Sequence, residues 1–226
     1  MNPARIAELL APFLERQPLS PLQLSSISTY IDILLRWNAR INLTAIRDPE
    51  EIVTRHFGES LFAARHLFPA PSLEVPLCPP VPSVVSALKV ADLGSGAGFP
   101  GLPIKLWAPH IALSLIESNH KKATFLREVV RALTLTDINI QNARAESSSQ
   151  RSYDLVTLRA VERFEAILPV AASLVADHGR LALLIGASQV RQLKAALPLH
   201  DIAVLLPIPC SNSRVLAVGK KAAIIR

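Results

Sequence analysis

The stretch Asp92-Leu93-Gly94-Ser95-Gly96-Ala97-Gly98-Phe99-Pro100-Gly101 constrains the fold more than any other part of the chain. It joins an apolar strand pattern at 90–93 to a helix beginning near Pro100. Glycine reaches positive φ without a Cβ penalty and lets a ligand approach the backbone closely. Pro100 is tolerated because the first turn of a helix needs no N–H there. A glycine turn between a strand and a helix N-terminus is where open α/β sheets commonly bind phosphates and carboxylates.

The remaining pattern agrees with such a sheet. Apolar strand segments recur at 112–116, 138–141, 155–158, 180–185, 202–206 and 215–218. Helical patterns fall between them, from Ser118 or Asn119 to about 133, over 164–175 and over 189–197. This alternation predicts an α/β fold, with a Rossmann-like, mostly parallel sheet and helices on both faces. The last two strands share only a short connection with Pro207 and Pro209, which predicts an antiparallel edge hairpin.

Three helices are expected ahead of the sheet. The first carries Ile6, Leu9, Leu10, Phe13 and Leu14 at helical spacing. The second opens on Ser20 and Pro21, with Leu24, Ile27, Ile31, Leu34 and Leu35 as its stripe. The third opens on Asp48 and Pro49, has Glu50 and Glu51 against the positive helix end, and exposes Ile52, Phe57, Leu61 and Leu67 to a core. Pro69, Pro71, Pro76, Pro79, Pro80 and Pro82 then preclude helix or central strand. The expected organisation is an N-terminal helical extension packed on the core (1–68), a proline-rich linker or insertion (69–86) and a ligand-binding core (87–226).

Composition narrows the setting. A chain of 226 residues, half of them hydrophobic, suits one compact domain with extra helices. Cys78 and Cys210 lie in no metal-like spacing and cannot form a disulfide framework, so a reducing compartment and no metal are expected. Arg5, Glu8, Glu15 and Arg16 interrupt the first residues, and no apolar run approaches the roughly 18–20 residues of a membrane span. The expectation is a soluble, cytoplasmic protein with no membrane partner. A net charge of +6 favours polyanions, although a merely solvated basic surface has the same charge.

The glycine register is ambiguous by itself. Gly96, Gly98 and Gly101 also satisfy the dinucleotide fingerprint, and Glu117 follows about twenty residues on, so a nicotinamide or flavin oxidoreductase is a rival. Asp92 immediately before the turn, the extra glycine at Gly94 and the acidic Glu146 after the third strand lean the other way. A methyl donor with a charged amino acid at one end and a ribose at the other needs polar groups at several strand ends. Glu117 can accept from ribose hydroxyls in either class. Asp92 could instead only form the turn, and Glu117 could be only a strand-end charge.

Further segments sharpen the choice. Trp37-Asn38-Ala39-Arg40-Ile41-Asn42-Leu43-Thr44-Ala45-Ile46-Arg47-Asp48 is followed by Arg55-His56-Phe57 and Ser60-Leu61. Glu117-Ser118 precedes Lys121-Lys122 and Phe125-Leu126, and Arg144-Ala145-Glu146 and Arg159-Ala160 follow. With the glycine turn, these segments resemble the 16S rRNA guanine-N7 methyltransferases, also called the glucose-inhibited division protein B family. The resemblance spans nearly the whole chain apart from the proline-rich stretch. It implies S-adenosyl-L-methionine as cofactor and 16S rRNA or the 30S subunit as partner. Gly94 and Phe99 match loop positions that contact the cofactor, Ala145 and Glu146 match the pair beside its adenine, and Arg159 matches a cofactor-site arginine. With Asp92, Gly96 and Glu117 they form the candidate cofactor set.

Arg40, Arg55, Lys121, Lys122 and Arg127 are the candidate RNA contacts, and Trp37 is a candidate stacking residue or a core residue. Guanine N7 carries a lone pair and no proton, so its methylation needs no general base, and no catalytic side chain is singled out. Positioning of donor and acceptor can supply on the order of 7–11 kcal/mol. One departure stands out: Ile185-Gly186 occupies a place where many members carry lysine-glycine. It is the one feature favouring a third reading, an RNA-binding module without catalysis.

Overall fold

The computed structural model describes residues 1–69, 87–147, 152–160, 164–197 and 200–221. All but the first residue of the expected proline-rich linker therefore lies outside the described residues. Two helices open the chain, α1 (Pro3–Leu14) and α2 (Pro21–Asn38). Ser20 caps α2 by accepting from the Gln23 backbone N–H, while Gln23 accepts from the Ser20 N–H, so two otherwise orphaned donors are satisfied. Asp48 caps the next helix by accepting from the Glu51 N–H at 2.8 Å.

That third helix is not the regular one its cap promises. Its first turn, α3 (Pro49–Glu51), runs into a π-helical stretch, Ile52–Gly58, before regular geometry resumes in α4 (Glu59–Leu67). Ile52, Val53, His56, Phe57 and Gly58 are all buried in this stretch, where the wider π turn lets residues five apart share one face.

The sheet contains β1 (Lys89–Leu93), β2 (Ala112–Ile116), β3 (Ile138–Gln141), β4 (Tyr153–Arg159), β5 (Val175–Gly186), β6 (His200–Pro207) and β7 (Arg214–Lys221). Their order is β3-β2-β1-β4-β5-β7-β6. Strands β1 to β5 pair in parallel, and β7 pairs antiparallel with both β5 and β6. The hairpin expected at the edge is present, and only β7 reverses direction. β5 starts at Val175 and not at 180, because Val175 pairs with Tyr153 before the register shifts to Leu155 and Arg180. The exposed Asp177 and His178 between them hide that start from an apolar pattern.

Helices α5 (Gly101–Trp107) and α6 (His120–Ala132) join α1, α2 and α4 on one face of the sheet. Helices α7 (Phe164–Leu174) and α8 (Val190–Ala196) cover the other. Strand side chains alternate between faces. Leu181, Leu183 and Ile185 of β5 meet α7 and α8, while Ala182 and Leu184 meet the N-terminal helices. Ile6, Phe13, Ile31 and Phe57 thus share one hydrophobic cluster with Val90, Leu113 and Leu155. Among the described residues no helix is long and apolar enough to cross a membrane.

Gly58, in the π stretch, sits against Phe13 of α1. A Cβ there would lie 2.6–2.8 Å from three atoms of the Phe13 ring. Gly58→Ala should therefore cost about 1–3 kcal/mol through overpacking, measured as a lowered urea midpoint. An unchanged midpoint would mean that α1 moves aside freely.

Candidate active site

Parallel strands end together, so the loops after β1, β2, β4 and β5 gather on one edge of the sheet. The strand order turns outward in both directions from β1 and β4, and ligands of open α/β sheets bind at such a switch point. Because β7 runs antiparallel, it begins where the other strands end. That reversal brings Ser213 and Arg214 to the same edge.

The glycine turn is fastened from below. Asp92 and Thr157 face each other in register across β1 and β4. The Thr157 hydroxyl donates to Asp92 Oδ1 at 2.9 Å, and the Gly101 N–H donates to Oδ2 at 3.2 Å. One carboxylate therefore ties both strands to the start of α5. Burial pushes its pKa up to about 7, against the opposing pull of these hydrogen bonds and the charge of Arg159. A Cβ at Gly101 would meet Asp92 Oδ2 at 2.8 Å, so only glycine fits there. Asp92 has no exposed surface, and both its oxygens are engaged in holding the loop.

The top of the turn is open. Gly94 and Gly96 have φ of 64° and 54°, Gly94 is exposed, and a Cβ on Gly96 would meet only the Gly94 carbonyl, at 3.7 Å. Glu117 at the end of β2 accepts from the Gly96 N–H through Oε2 at 2.9 Å and from the Asn119 N–H through Oε1 at 2.7 Å. It is thus no loose strand-end charge, but a carboxylate held beside the open turn with lone pairs to spare. Phe99 points the other way. It stacks on Tyr30 at 5.4 Å and on His56 at 4.8 Å, so its side chain belongs to the core, and any ligand contact there falls to its backbone. The Tyr30 hydroxyl donates to the Ala97 carbonyl and so anchors the turn to α2.

Arg159 ends β4 facing the N-terminal helices. Its guanidinium donates to the Arg55 carbonyl at 2.6 Å, to Glu59 Oε2 at 3.0 Å and to His56 Nδ1 at 2.9 Å. A guanidinium only donates, so Nδ1 must accept and the imidazole proton sits on Nε2, which donates to Thr44 Oγ1 at 2.7 Å. Burial and the surrounding arginines push the His56 pKa down to about 3, so the ring is neutral. Burial also lowers the pKa of Arg159, against the pull of Glu59. Beside this network lies a cavity of about 280 Å³. Arg55, Leu158, Arg159, Phe164, Ile185 and Arg214 are among the residues that line it. Ala160, also in the lining, holds a φ of 49°, which L-residues rarely adopt.

The other expected residues are spread along this edge and beyond it. Ala145 is buried and Glu146 exposed in a short 3₁₀ turn after β3. Lys121 and Lys122 occupy the first turn of α6, Arg127 is exposed further along it, and Arg40 is exposed just after α2. Arg55 faces the cavity but also lies 3.5 Å from both Glu51 and Glu59. Trp37 does not serve as an open stacking platform: its indole donates to Glu128 at 2.9 Å and its ring meets Phe125 edge-on. Sequence reading missed Glu59, Thr157 and Arg214. Only the Arg55–Glu59 spacing of one helical turn hinted at the first, and nothing local marked the other two.

A family model described as rRNA small subunit methyltransferase G matches residues 23–204. The Ribosomal RNA small subunit methyltransferase G of Xylella fastidiosa strain 9a5c is 38% identical over 179 residues, covering 79% of this chain and 72% of that protein. The protein of the same name from Bacillus pumilus is 30% identical over 217 residues, 90% of this chain and 84% of its own. Among solved structures, a ribosomal protein L11 methylase from Lactobacillus delbrueckii subsp. bulgaricus superposes with a TM-score of 0.53 at 18% identity, covering 62% of this chain and 72% of that one. A SAM dependent methyltransferase from Aquifex aeolicus gives 0.52 at 11% identity, over 60% and 82%. At such identity these two establish the fold alone, a class I methyltransferase sheet.

The buried carboxylate at the base of the turn makes a measurable prediction. A raised Asp92 pKa means that the folded state holds a proton the unfolded chain releases. Its contribution to stability is present at acid pH and is lost as pH rises through about 7. Asp92→Asn removes this loss. The stability of the variant relative to the unsubstituted protein, from urea melts, should therefore improve steadily between about pH 4 and pH 7. A difference independent of pH would mean that Asp92 titrates as an ordinary carboxylate.

Proposed function

The chain belongs to the rRNA small subunit methyltransferase G family and uses S-adenosyl-L-methionine to methylate 16S rRNA, and from that premise we propose that its acceptor is N7 of a specific guanine, held in the cavity at the ends of β4 and β5. One observation carries this reading. Among the described lining residues, the only titratable side chains are Arg55, Arg159 and Arg214. Methylation of an amino or hydroxyl group releases a proton that a base must take. Guanine N7 has none to lose, and arginines cannot accept one. His56 behind the cavity does not change this, because its one acceptor nitrogen is occupied by Arg159.

The residues around the glycine turn fit the cofactor. The exposed Gly94 and the open face of Gly96 leave room for close approach to backbone, and Glu117 presents a fixed carboxylate beside them. In this reading Gly94, Gly96 and the Phe99 backbone hold the amino-acid end, Glu117 accepts from the ribose hydroxyls, and Ala145 and Glu146 flank the adenine. Asp92 acts by keeping the turn in place. The cofactor, when bound, supplies an electrophilic methyl group. The chain itself contributes position: the walls Leu158, Phe164 and Ile185 give an unstacked purine an apolar seat. A base must leave its stack to reach such a pocket, at a cost of a few kcal/mol that a single-stranded loop lowers.

The basic surface supports an RNA partner. Lys121 and Lys122 stand in the first turn of α6, and that turn holds no acidic residue. A cation at the positive end of a helix is unfavourable by about 0.3–1 kcal/mol, a cost that bound phosphate offsets. Arg40, Arg55 and Arg127 extend the set, with the assembled 30S subunit or free 16S rRNA as partner and the cytoplasm as the place of action. Residues 1–68 and 87–226 act as one methyltransferase unit in this reading, joined by the proline-rich 69–86.

The test is transfer of labelled methyl from S-adenosyl-L-methionine to 30S subunits and 16S rRNA lacking the modification, with the product nucleoside identified by mass spectrometry. N7-methylguanosine at a single site is expected; a methyl on an exocyclic amine or a ribose would overturn the choice of acceptor. Glu117→Gln should weaken cofactor binding at least about tenfold by calorimetry, the scale of one lost hydrogen bond to a charged group. Unchanged affinity would remove Glu117 from the ribose contact.

A further inference from the structure

The wall of the cavity facing β7 is built around an imbalance of charge. Arg159 Nη2 and Arg214 Nη2 both meet the same atom, Glu59 Oε2, at 3.0 and 3.1 Å. Arg55 Nε lies 3.5 Å from Glu59 Oε1, and its Nη1 lies 3.5 Å from the half-exposed Glu51. Three guanidiniums thus share one buried carboxylate and part of a second. His56 adds no charge, because it is neutral and accepts from Arg159. The donors are also in excess. The Nε atoms of Arg55, Arg159 and Arg214 are all buried without a hydrogen bond, against a single unpaired acceptor, Glu59 Oε1, which faces Arg55 Nε at 3.5 Å. An unsatisfied buried donor on a charged group is costly, and the two on Arg159 and Arg214, with no free acceptor beside them, point to a missing one.

The proposed reaction makes the imbalance harder to leave uncompensated. Methylation at N7 leaves the purine with a positive charge. A surplus of guanidinium beside that base would oppose the reaction unless an anion arrives with the substrate. Resting on the reading of the cavity as the acceptor pocket, we propose that Arg55 and Arg214 bind the backbone phosphate flanking the target guanosine. Two non-bridging oxygens supply the acceptors that the guanidinium forks lack, in the geometry arginine uses for phosphate. The RNA then brings its own counter-charge, and the site becomes electrostatically complete only with the nucleotide seated. Arg159, tied to Glu59, His56 and the Arg55 carbonyl, sets the back of this subsite and is not free to swing out. Arg214 reaches the cavity from the first residue of β7, opposite Gly186. It places a cation on the wall where Ile185 provides none.

The experiment compares the unsubstituted protein with Arg214→Gln and Arg55→Gln. Affinity for a fluorescent fragment of 16S rRNA containing the target is read by anisotropy across a range of salt, and kcat and KM for methyl transfer are measured in parallel. Each variant should bind the RNA about tenfold more weakly. Each should also lower the slope of log affinity against log salt by about 0.7, the value for one single-strand phosphate contact. Affinity for S-adenosyl-L-methionine should stay within about twofold, which also shows that the fold is intact. Arg214→Lys should restore the salt slope but not the full affinity, because it keeps the charge without the fork. If Arg214→Gln proves unstable, Arg55→Gln decides alone, since its more exposed side chain is easier to remove without disturbing the core.

Unchanged affinity and slope in a folded variant would overturn the phosphate subsite while leaving the methyltransferase reading intact. Loss of the slope in a protein that methylates some other atom would overturn the N7 reading and leave the subsite standing.

Discussion

The Asp92 carboxylate is the joint on which the site depends. It lies at the point where the strand order turns outward in both directions, with one oxygen on Thr157 and the other on the Gly101 N–H. A shorter side chain would not reach α5, and a longer one would collide with it, since even a Cβ on Gly101 would come within 2.8 Å of Oδ2. The rest of the turn follows from this anchor. Ser95 donates to the Asp92 carbonyl, Gly94 and Ser95 donate to the Ile116 carbonyl, and Glu117 takes the Gly96 N–H. A loop that carries its own backbone donors into a binding cleft must be fixed before the ligand arrives, or ordering it would weaken binding. A buried acid strained toward protonation is the cost of that rigidity.

The N-terminal helices are a working wall of the site. Tyr30 reaches from α2 to the Ala97 carbonyl, Phe99 lies between Tyr30 and His56, and Arg159 crosses from β4 to His56 and Glu59. The π turn makes this crossing feasible, because one wider turn redirects Arg55, His56 and Glu59 toward the strand ends while Ile52 and Phe57 stay in the core. Buried ion pairs rarely add much stability by themselves, since desolvation consumes most of their attraction. A buried carboxylate shared by three arginines is therefore better explained by what it positions than by what it stabilises. It holds cations at the cavity in fixed directions and offsets their mutual repulsion.

Much of this was legible in the chain. Strand and helix alternation follows from periodicity, because burial against a sheet or another helix imposes a period of 2.0 or 3.6 wherever it occurs. The glycine turn was legible because only glycine meets its backbone demands, and Glu117 because it stands at the end of the second strand. The π turn was not legible, because the Asp48 cap and the apolar residues after it read as a regular helix. Phe99 and Trp37 were harder. An aromatic beside a ligand loop or a basic patch has the same local sequence whether it faces ligand or core, and only Tyr30, His56 and Glu128 from distant segments decide it.

The sequence by itself determined the α/β class, the ligand turn and the family, since these rest on local patterns that each segment satisfies alone. The tertiary structure decided which charges meet. Glu59 and Arg159 are separated by 100 residues, and Arg214 lies further still along the chain. Their convergence depends on the parallel register of β4, the reversal of β7 and the π turn together. No local pattern encodes such a meeting, because electrostatic partnership is set by distance in space, and that distance exists only once the sheet and its helical layer have closed on each other.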